Sequence, residues 1–372
     1  MRRLIVTIMA SLLSCTAAHA FWPEATDSSL EVGVGYRKDK LEWKTTSHSG
    51  SGSYGSYGSY GSSSSSSGDP AKLESKLKWK DLQIWQLDAR GKYVTCDSIY
   101  LRADADYGWI TDGKNTDKDS IVINNGSGYN NSGSFELAKS KSKSTGHVYD
   151  VDLAIGYEFK LCDDSFSIAP LIGYAWNGQH IKDSHLKEEV YLDDANLIGD
   201  NVIRSHCSSD ASFSRYGDSY SSCSSSSSGC SNGKYKTKWN GPFIGFDFDY
   251  RFGCGCEADW EVFGTYEFHW AKFHGKGHWP LRRDLVDGKF RHRAKDAYGQ
   301  VFDIGVKWDF CECWTVALKG EFQWWWADKG HDRAKIAREH NGNVKTDCYI
   351  QVPLHDVKHD AAAIVLDFGM VF

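Results

Sequence analysis

The end of this chain constrains its fold more than any other segment. Counting back from the terminus, Phe372, Met370, Phe368, Leu366 and Ile364 are bulky and apolar, whereas the intervening Val371, Gly369 and Asp367 are small or charged. Successive side chains of a strand point to opposite faces, so the run has one apolar face and one that accepts charge. That is the two-residue period of a strand with lipid on one side and a lumen on the other. Taken alone, the segment fits one strand of a soluble sandwich equally well.

The rest of the chain decides between these. Alternating stretches recur at 30–45, 73–90, 99–110, 147–160, 166–184, 234–252, 259–273, 290–310, 314–328 and 361–372. Ile244, Phe246, Phe248, Tyr250 and Phe252 oppose Gly245, Asp247, Asp249 and Arg251; Phe302, Ile304, Val306, Trp308 and Phe310 oppose Asp303, Gly305, Lys307 and Asp309. Short connections near 94–98, 161–165, 253–258 and 311–313 alternate strictly with long ones at 46–72, 111–146, 187–233, 274–289 and 329–360. A sandwich does not sort its loops this way. The expectation is an all-β, ten-stranded antiparallel up-and-down transmembrane barrel with short periplasmic turns, long outer loops and both termini periplasmic.

Compartment signals agree. Arg2 and Arg3, an apolar stretch over 4–13 and Ala18-His19-Ala20 read as a signal peptide over 1–20, leaving 21–372 as the barrel; Leu12-Leu13-Ser14-Cys15 reads less well as a lipoprotein box. No later apolar run approaches the roughly 20 residues of a spanning helix. A net charge of -6 disfavours nucleic acid as a partner, and 15 Trp, 19 Tyr and 18 Phe suit aromatic girdles at two membrane surfaces. A C-terminal aromatic on such a strand resembles the assembly signal of bacterial outer-membrane barrels. The outer membrane of a Gram-negative-type bacterium is the expected location, with its lipid, lipopolysaccharide included, as a partner.

The segment 46–68 carries a triple Ser-Tyr-Gly repeat and no Lys, Arg, Asp or Glu, and 205–233 is serine-rich. Neither can bury a core, so both read as solvated outer loops. Expected inward positions mix Arg102, Asp104, Asp106, Asp152, Glu158, Lys160, Asp247, Asp249, Arg251, Asp303, Lys307, Asp309, Lys319, Glu321 and Asp367. In a narrow barrel such side chains can interlock as a charged core or line a small-solute pore.

The layout resembles the omptin family, ten-stranded outer-membrane proteases with an active site in an outer cleft. Gly108-Trp109-Ile110-Thr111 leads to Asp117-Lys118-Asp119 as the family's third strand leads to its paired aspartates, and Gly241-Pro242-Phe243-Ile244-Gly245 with Tyr250-Arg251-Phe252 resembles the strand before its Asp-x-His dyad. The resemblance implies that Asp117 and Asp119 hold a water across the cleft from His278, the base. Lys276 stands where the dyad's aspartate belongs, and an ammonium cannot accept an imidazole N–H. Asp284 and Asp287 are the nearby carboxylates, at a different spacing. Other histidines, among them His269, His274, His331, His340, His355 and His359, follow no zinc spacing, and no cofactor is expected.

Of 11 cysteines, Cys15 falls in the leader. Cys96, Cys162, Cys254 with Cys256, and Cys311 with Cys313 occupy every short turn, whereas Cys207, Cys223, Cys230 and Cys348 lie in long loops. Neighbouring turns on one rim stand about 10 Å apart, beyond the roughly 4.4–6.8 Å between Cα atoms that a disulfide requires. Intermolecular bonds, local bonds and thiolate–zinc ligation all remain open. The first resembles the disulfide-linked envelope of chlamydia-type bacteria, which implies cysteine-rich envelope proteins, or further copies of this chain, as partners.

Overall fold

A computed structural model describes residues 25–48, 71–123, 133–162, 165–191, 233–252, 259–279, 285–311, 313–340 and 343–371. The expected leader, Cys207, Cys223, Cys230, Cys254 and Cys256 lie outside them, as do most of the two low-complexity connections. The regular elements are all strands: β1 (Ala25–His48), β2 (Ala71–Thr95), β3 (Ile99–Ile123), β4 (Gly133–Tyr157), β5 (Phe159–Leu161), β6 (Phe166–Tyr191), β7 (Lys234–Phe252), β8 (Asp259–His278), β9 (Leu285–Cys311), β10 (Trp314–Ala327), β11 (Gly330–His340) and β12 (Asn343–Val371). All pairings are antiparallel, and β1 meets β12 from Ser29↔Val371 to Thr45↔Leu354, so the sheet closes on itself. Closure leaves no open edge, the condition for a sheet to stand in hydrocarbon.

Among the described residues twelve strands stand where ten were expected, because two courses of the barrel are each broken once. β5 continues β4 along β6, from Gly156↔Leu171 to Phe159↔Ile168, past a break at Glu158. Likewise β11 continues β10 between β9 and β12, from Ala327↔Val357 to Gly330↔Leu354. The expected long connections 111–146, 274–289 and 329–360 are corrected too: β3 runs to Ile123, β8 to His278, and β11 with the start of β12 fills most of the last. Strands of about 25 residues are more than twice the 9–11 that cross a bilayer, so the barrel projects far beyond it at the end opposite the short turns.

The membrane band is legible on the outer surface. Tyr157, Tyr250, Trp260, Trp308 and Trp314 are exposed near the turn rim, and Trp85, Trp109, Trp176, Trp270 and Trp324 form a second exposed ring. Between them lie exposed Leu153, Ile155, Ile244, Ile304, Ile364 and Leu366. From Trp260 to Trp270 is ten residues, about 25 Å of height for a tilted strand, which matches the apolar belt of such barrels.

Inside this band the lumen is filled with charge. Buried Arg102 meets Asp104 at 2.7 Å, Asp152 at 3.0 Å and Asp247 at 2.7 Å, and also Glu267. Lys307 joins Glu31 at 2.8 Å and Glu261 at 3.2 Å; Arg37 joins Asp39 at 2.6 Å and also Asp150. Of the expected inward positions, Lys160 and Arg251 sit at the turn rim and are exposed.

Candidate functional site

Beyond the second aromatic ring the pairing register slips on several strands, at Asp39/Leu41, Lys80/Gln83, Ile110/Lys114, Lys141/Lys143 and Ala271/Phe273. Each irregularity re-aims the strand leaving it. The inward face thereby passes from Ile84 and Leu82 to Trp79 and Leu77 on β2, and from Ala297 to Ala294 on β9, all buried.

Among the described residues, packed side chains occupy the inside of this projecting part. Trp79, Trp239, Tyr235, Phe273 and Leu77 form one buried cluster with Trp43, Ile181, Leu354 and Trp325. Trp79 stacks on Tyr235 with ring centroids 4.9 Å apart, and Trp239 lies 4.5 Å from Phe273. The polar edge of Trp79 is satisfied, whereas the indole N–H groups of Trp43 and Trp239 are buried without a partner. Asp183 accepts from the Trp79 indole N–H at 3.1 Å, the Asn115 amide at 2.7 Å and the Ser144 hydroxyl at 2.6 Å. Burial raises its pKa, and those three donors pull the other way.

Among the described residues buried His359 meets Asp39 at 3.1 Å and His269 meets Glu267 at 2.9 Å near the second ring, and a further histidine–carboxylate pair lies higher in the projecting part, at a place the sequence did not indicate. His292 of β9 makes a 2.7 Å hydrogen bond to the Tyr235 hydroxyl through Nδ1, and its Nε2 lies 3.4 Å from Asp332 Oδ1 of β11. With Tyr235 as donor, Nε2–H faces the carboxylate, the orientation a general base requires. The ring is fully buried beneath Trp43, whose centroid is 4.5 Å away. Burial, with His331 nearby, depresses its pKa to about 3, and burial holds the Tyr235 hydroxyl well above its ordinary value. A base that solvent cannot reach cannot activate a water, so this dyad is part of the packing.

The residues singled out by resemblance sit elsewhere. Asp117 stands opposite buried Leu77 and Asp119 opposite Ser75, so both carboxylates lie on the inward face of β3, half-buried. His278 ends β8 opposite Lys234 and Lys289, and Lys276 is opposite Lys236 and Arg291. Inward positions of this stretch are Phe273, Gly275 and Gly277, so His278 and Lys276 are on the outward face. The aspartate pair and the histidine thus occupy opposite surfaces of the wall, with β4, β6 and β7 between their strands.

That outward surface is strongly basic. Lys182, Lys236, Lys238, Lys272, Lys276, Arg291 and Arg293 are exposed on four adjacent strands, and the described outward positions of β7 and β8 beyond the ring hold no acid. The patch lies directly beyond Trp176 and Trp270, at the height of lipid headgroups. His180, at its edge and 4.9 Å from His147, has its pKa lowered to about 4 by partial burial and by Lys236.

At the opposite end Cys96, Cys162 and Cys313 are exposed in the turns, and Ser98 and Cys162 hold left-handed backbone angles there. Cys311 closes β9 on the same rim, whereas Cys348 is carried on the projecting part of β12.

A closed antiparallel cylinder with an apolar belt between two aromatic rings and a charged interior is an integral outer-membrane β-barrel. The chain belongs to the family described as Protochlamydia outer membrane protein, whose signature it matches over residues 31–372. No curated protein matches it. Among solved structures it is similar to the outer membrane protease OmpT from Escherichia coli, with a TM-score of 0.59 at 12% identity, covering 93% of this chain and 97% of that one. OprG from Pseudomonas aeruginosa aligns at a TM-score of 0.29 and 10% identity over 94% and 97% of the two chains. At such identity the OmpT likeness speaks for the fold alone.

Proposed function

We propose that this protein is a structural barrel of the outer membrane, seated by its basic patch against phosphate-bearing lipid and cross-linked through its rim cysteines. In this reading the turn rim and both termini face the periplasm, and Cys96, Cys162 and Cys313 form disulfides with envelope proteins or neighbouring copies. The observation that carries it is the filled interior among the described residues: charged side chains through the membrane band, with a cavity of about 50 Å³ among them, and an aromatic core beyond. Neither a wide channel nor a substrate cleft fits such packing. Lipopolysaccharide is the natural occupant of the basic patch, since each Lys or Arg near an anionic surface contributes about 1 kcal/mol.

Gels of isolated envelopes, run with and without reductant, test the cross-linking. Higher bands that collapse on reduction, and that vanish in a Cys96→Ser, Cys162→Ser, Cys313→Ser variant, are expected; a monomer-sized band in both lanes refutes it. A second reading, a narrow pore, draws on that small cavity, and single-channel conductance in a planar bilayer separates the two. Endopeptidase action in an outer cleft is the third, read by turnover of a fluorogenic peptide library beside a His278→Ala variant.

A further inference from the structure

Within the membrane band, four acids stand in one row across neighbouring strands. Asp88 of β2 is directly opposite Asp106 of β3, and Asp106 is directly opposite Asp150 of β4. On its other side Asp88 faces Gly33 of β1, which faces Asp367 of β12. Gly33 has no side chain to keep them apart: a Cβ there would lie 2.0 Å from Asp367 Oδ1, so that carboxylate leans over the glycine. Like charges placed opposite one another destabilise a sheet unless something neutralises them.

The protein's own cations fall short. Lys319 reaches Glu321 at 2.8 Å and Asp88 at 3.4 Å, and Arg37 is engaged by Asp39 and Asp150. Asp106 Oδ1 and both carboxylate oxygens of Asp367 are buried and receive no hydrogen bond from an N–H or hydroxyl donor, their carboxyls standing within hydrogen-bond reach of Asp88 instead, and Asp367 is 2% exposed. Gln86, also 2% exposed, donates its amide to Glu321 at 2.9 Å, which leaves its own Oε1 buried and without a donor. Acceptors of two chemical kinds, carboxylate and amide, thus belong to residues bonded to Asp88 and Glu321, and a buried acceptor left alone costs about 1–3 kcal/mol.

One carboxylate oxygen from each of Asp88, Asp106 and Glu321 lies within 4.8 Å of the others. Oxygens bound to one calcium ion at about 2.3–2.6 Å stand no more than roughly twice that apart, so the three are close enough to share an ion once the Lys319 ammonium, which contacts Glu321 and Asp88, gives way. The cavity of about 50 Å³ is lined by Asp88, Asp106, Asp150, Lys319 and Glu321, with room for an ion and a water.

We propose that Asp88, Asp106 and Glu321, supported by Asp367 and the Gln86 carbonyl, bind a hard divalent cation of the calcium type inside the lumen. All donors are oxygen, which excludes the metals that select thiolate or imidazole. The ion replaces the missing positive charge and fastens β2, β3, β10 and β12 to one point. This inference rests on neither the cross-linking nor the pore reading.

The test uses the full-length barrel refolded in zwitterionic detergent without lipopolysaccharide and stripped with chelator, then titrated calorimetrically with calcium chloride. Saturable uptake of one ion per barrel is expected, with affinity about tenfold weaker or worse in Asp106→Asn and in Asp367→Asn, because loss of ligand charge weakens such sites. Lys319→Met, which removes the competing ammonium, is expected to bind calcium more tightly. Heat-modified mobility on gels verifies that each variant is folded, and either asparagine variant suffices should the other fail to fold. Absence of saturable uptake of calcium or magnesium by the folded barrel overturns the proposal, as does unchanged affinity in a folded asparagine variant.

Discussion

Arg102 bears more of the lumen's electrostatics than any neighbour, so replacing it with Met is the sharpest test of how the membrane band is held. Its guanidinium touches Asp104, Asp152 and Asp247 at 2.7–3.0 Å and also Glu267, and the residue is 3% exposed. At 3 Å and an effective dielectric near 20, each contact is worth about 5 kcal/mol before desolvation is charged against it. Desolvating five ions offsets most of that sum, and the measurable effect is the cost of leaving buried carboxylates without their counter-ion, about 3–5 kcal/mol. Methionine fills a similar volume, which keeps the packing contribution small. The assay is reversible urea unfolding of the refolded barrel at pH 7.5, with a second variant, Arg102→Met with Asp247→Asn, that removes one stranded charge. Arg102→Met should lose about 3–5 kcal/mol, and the double variant should recover part of it. A loss below about 1 kcal/mol, or no recovery in the double variant, would refute the view that the lumen is a mutually neutralising core.

Other outcomes follow from the projecting part. Trp239 is fully buried against Phe273 and Trp325, so Trp239→Ala should destabilise by about 3–5 kcal/mol in thermal or urea unfolding, and a loss below about 1 kcal/mol would mean that the core yields to solvent. His292 is held neutral in the fold, with its pKa lowered from 6.5 to about 3 by burial. The unfolded chain takes up a proton that the folded chain refuses, so stability present above pH 6.5 is lost as pH falls toward 3, at up to about 1.4 kcal/mol per unit. His292→Phe should flatten that slope in unfolding curves taken between pH 7 and pH 4. Because His278 faces outward, Lys276→Asp, which restores an Asp-x-His sequence, should create no peptide cleavage in the fluorogenic assay. Reversing Lys236 and Lys276 to glutamate should weaken lipopolysaccharide binding and its dependence on salt, read by co-sedimentation with lipopolysaccharide aggregates.

The alternation that made the barrel legible is a property of the membrane band, where lipid demands Ile364, Leu366 and Phe368 on one side and the lumen accepts Asp367 on the other. There the sequence and the structure agree residue by residue: Ile364 is 65% exposed and Val365 fully buried. Past the second aromatic ring the outward face meets water, lysine replaces leucine, and the contrast between faces weakens. The register slips then break the period itself. On β2 the buried positions pass from Leu82 to Trp79, on β3 from Ile110 to Gly113, and on β9 from Ala297 to Ala294, three residues in place of two. A reading that counts in twos loses phase at each of them, which is why these segments look like loops.

The lumen contacts were hidden for a different reason. Asp88, Gly33, Asp106, Glu321 and Asp367 sit on five strands separated by long stretches of chain, and only the closure of β1 on β12 sets Asp367 beside Asp88 across Gly33. No local spacing encodes that meeting; register does. The same holds for Tyr235, His292 and Asp332, joined across β7, β9 and β11. Pairing along the strands dictates the long projecting wall, whereas the contents of the wall are set by which side chains the register slips turn inward. Here those are Trp43, Trp79, Tyr235, Trp239 and Phe273, and they pack into one buried cluster.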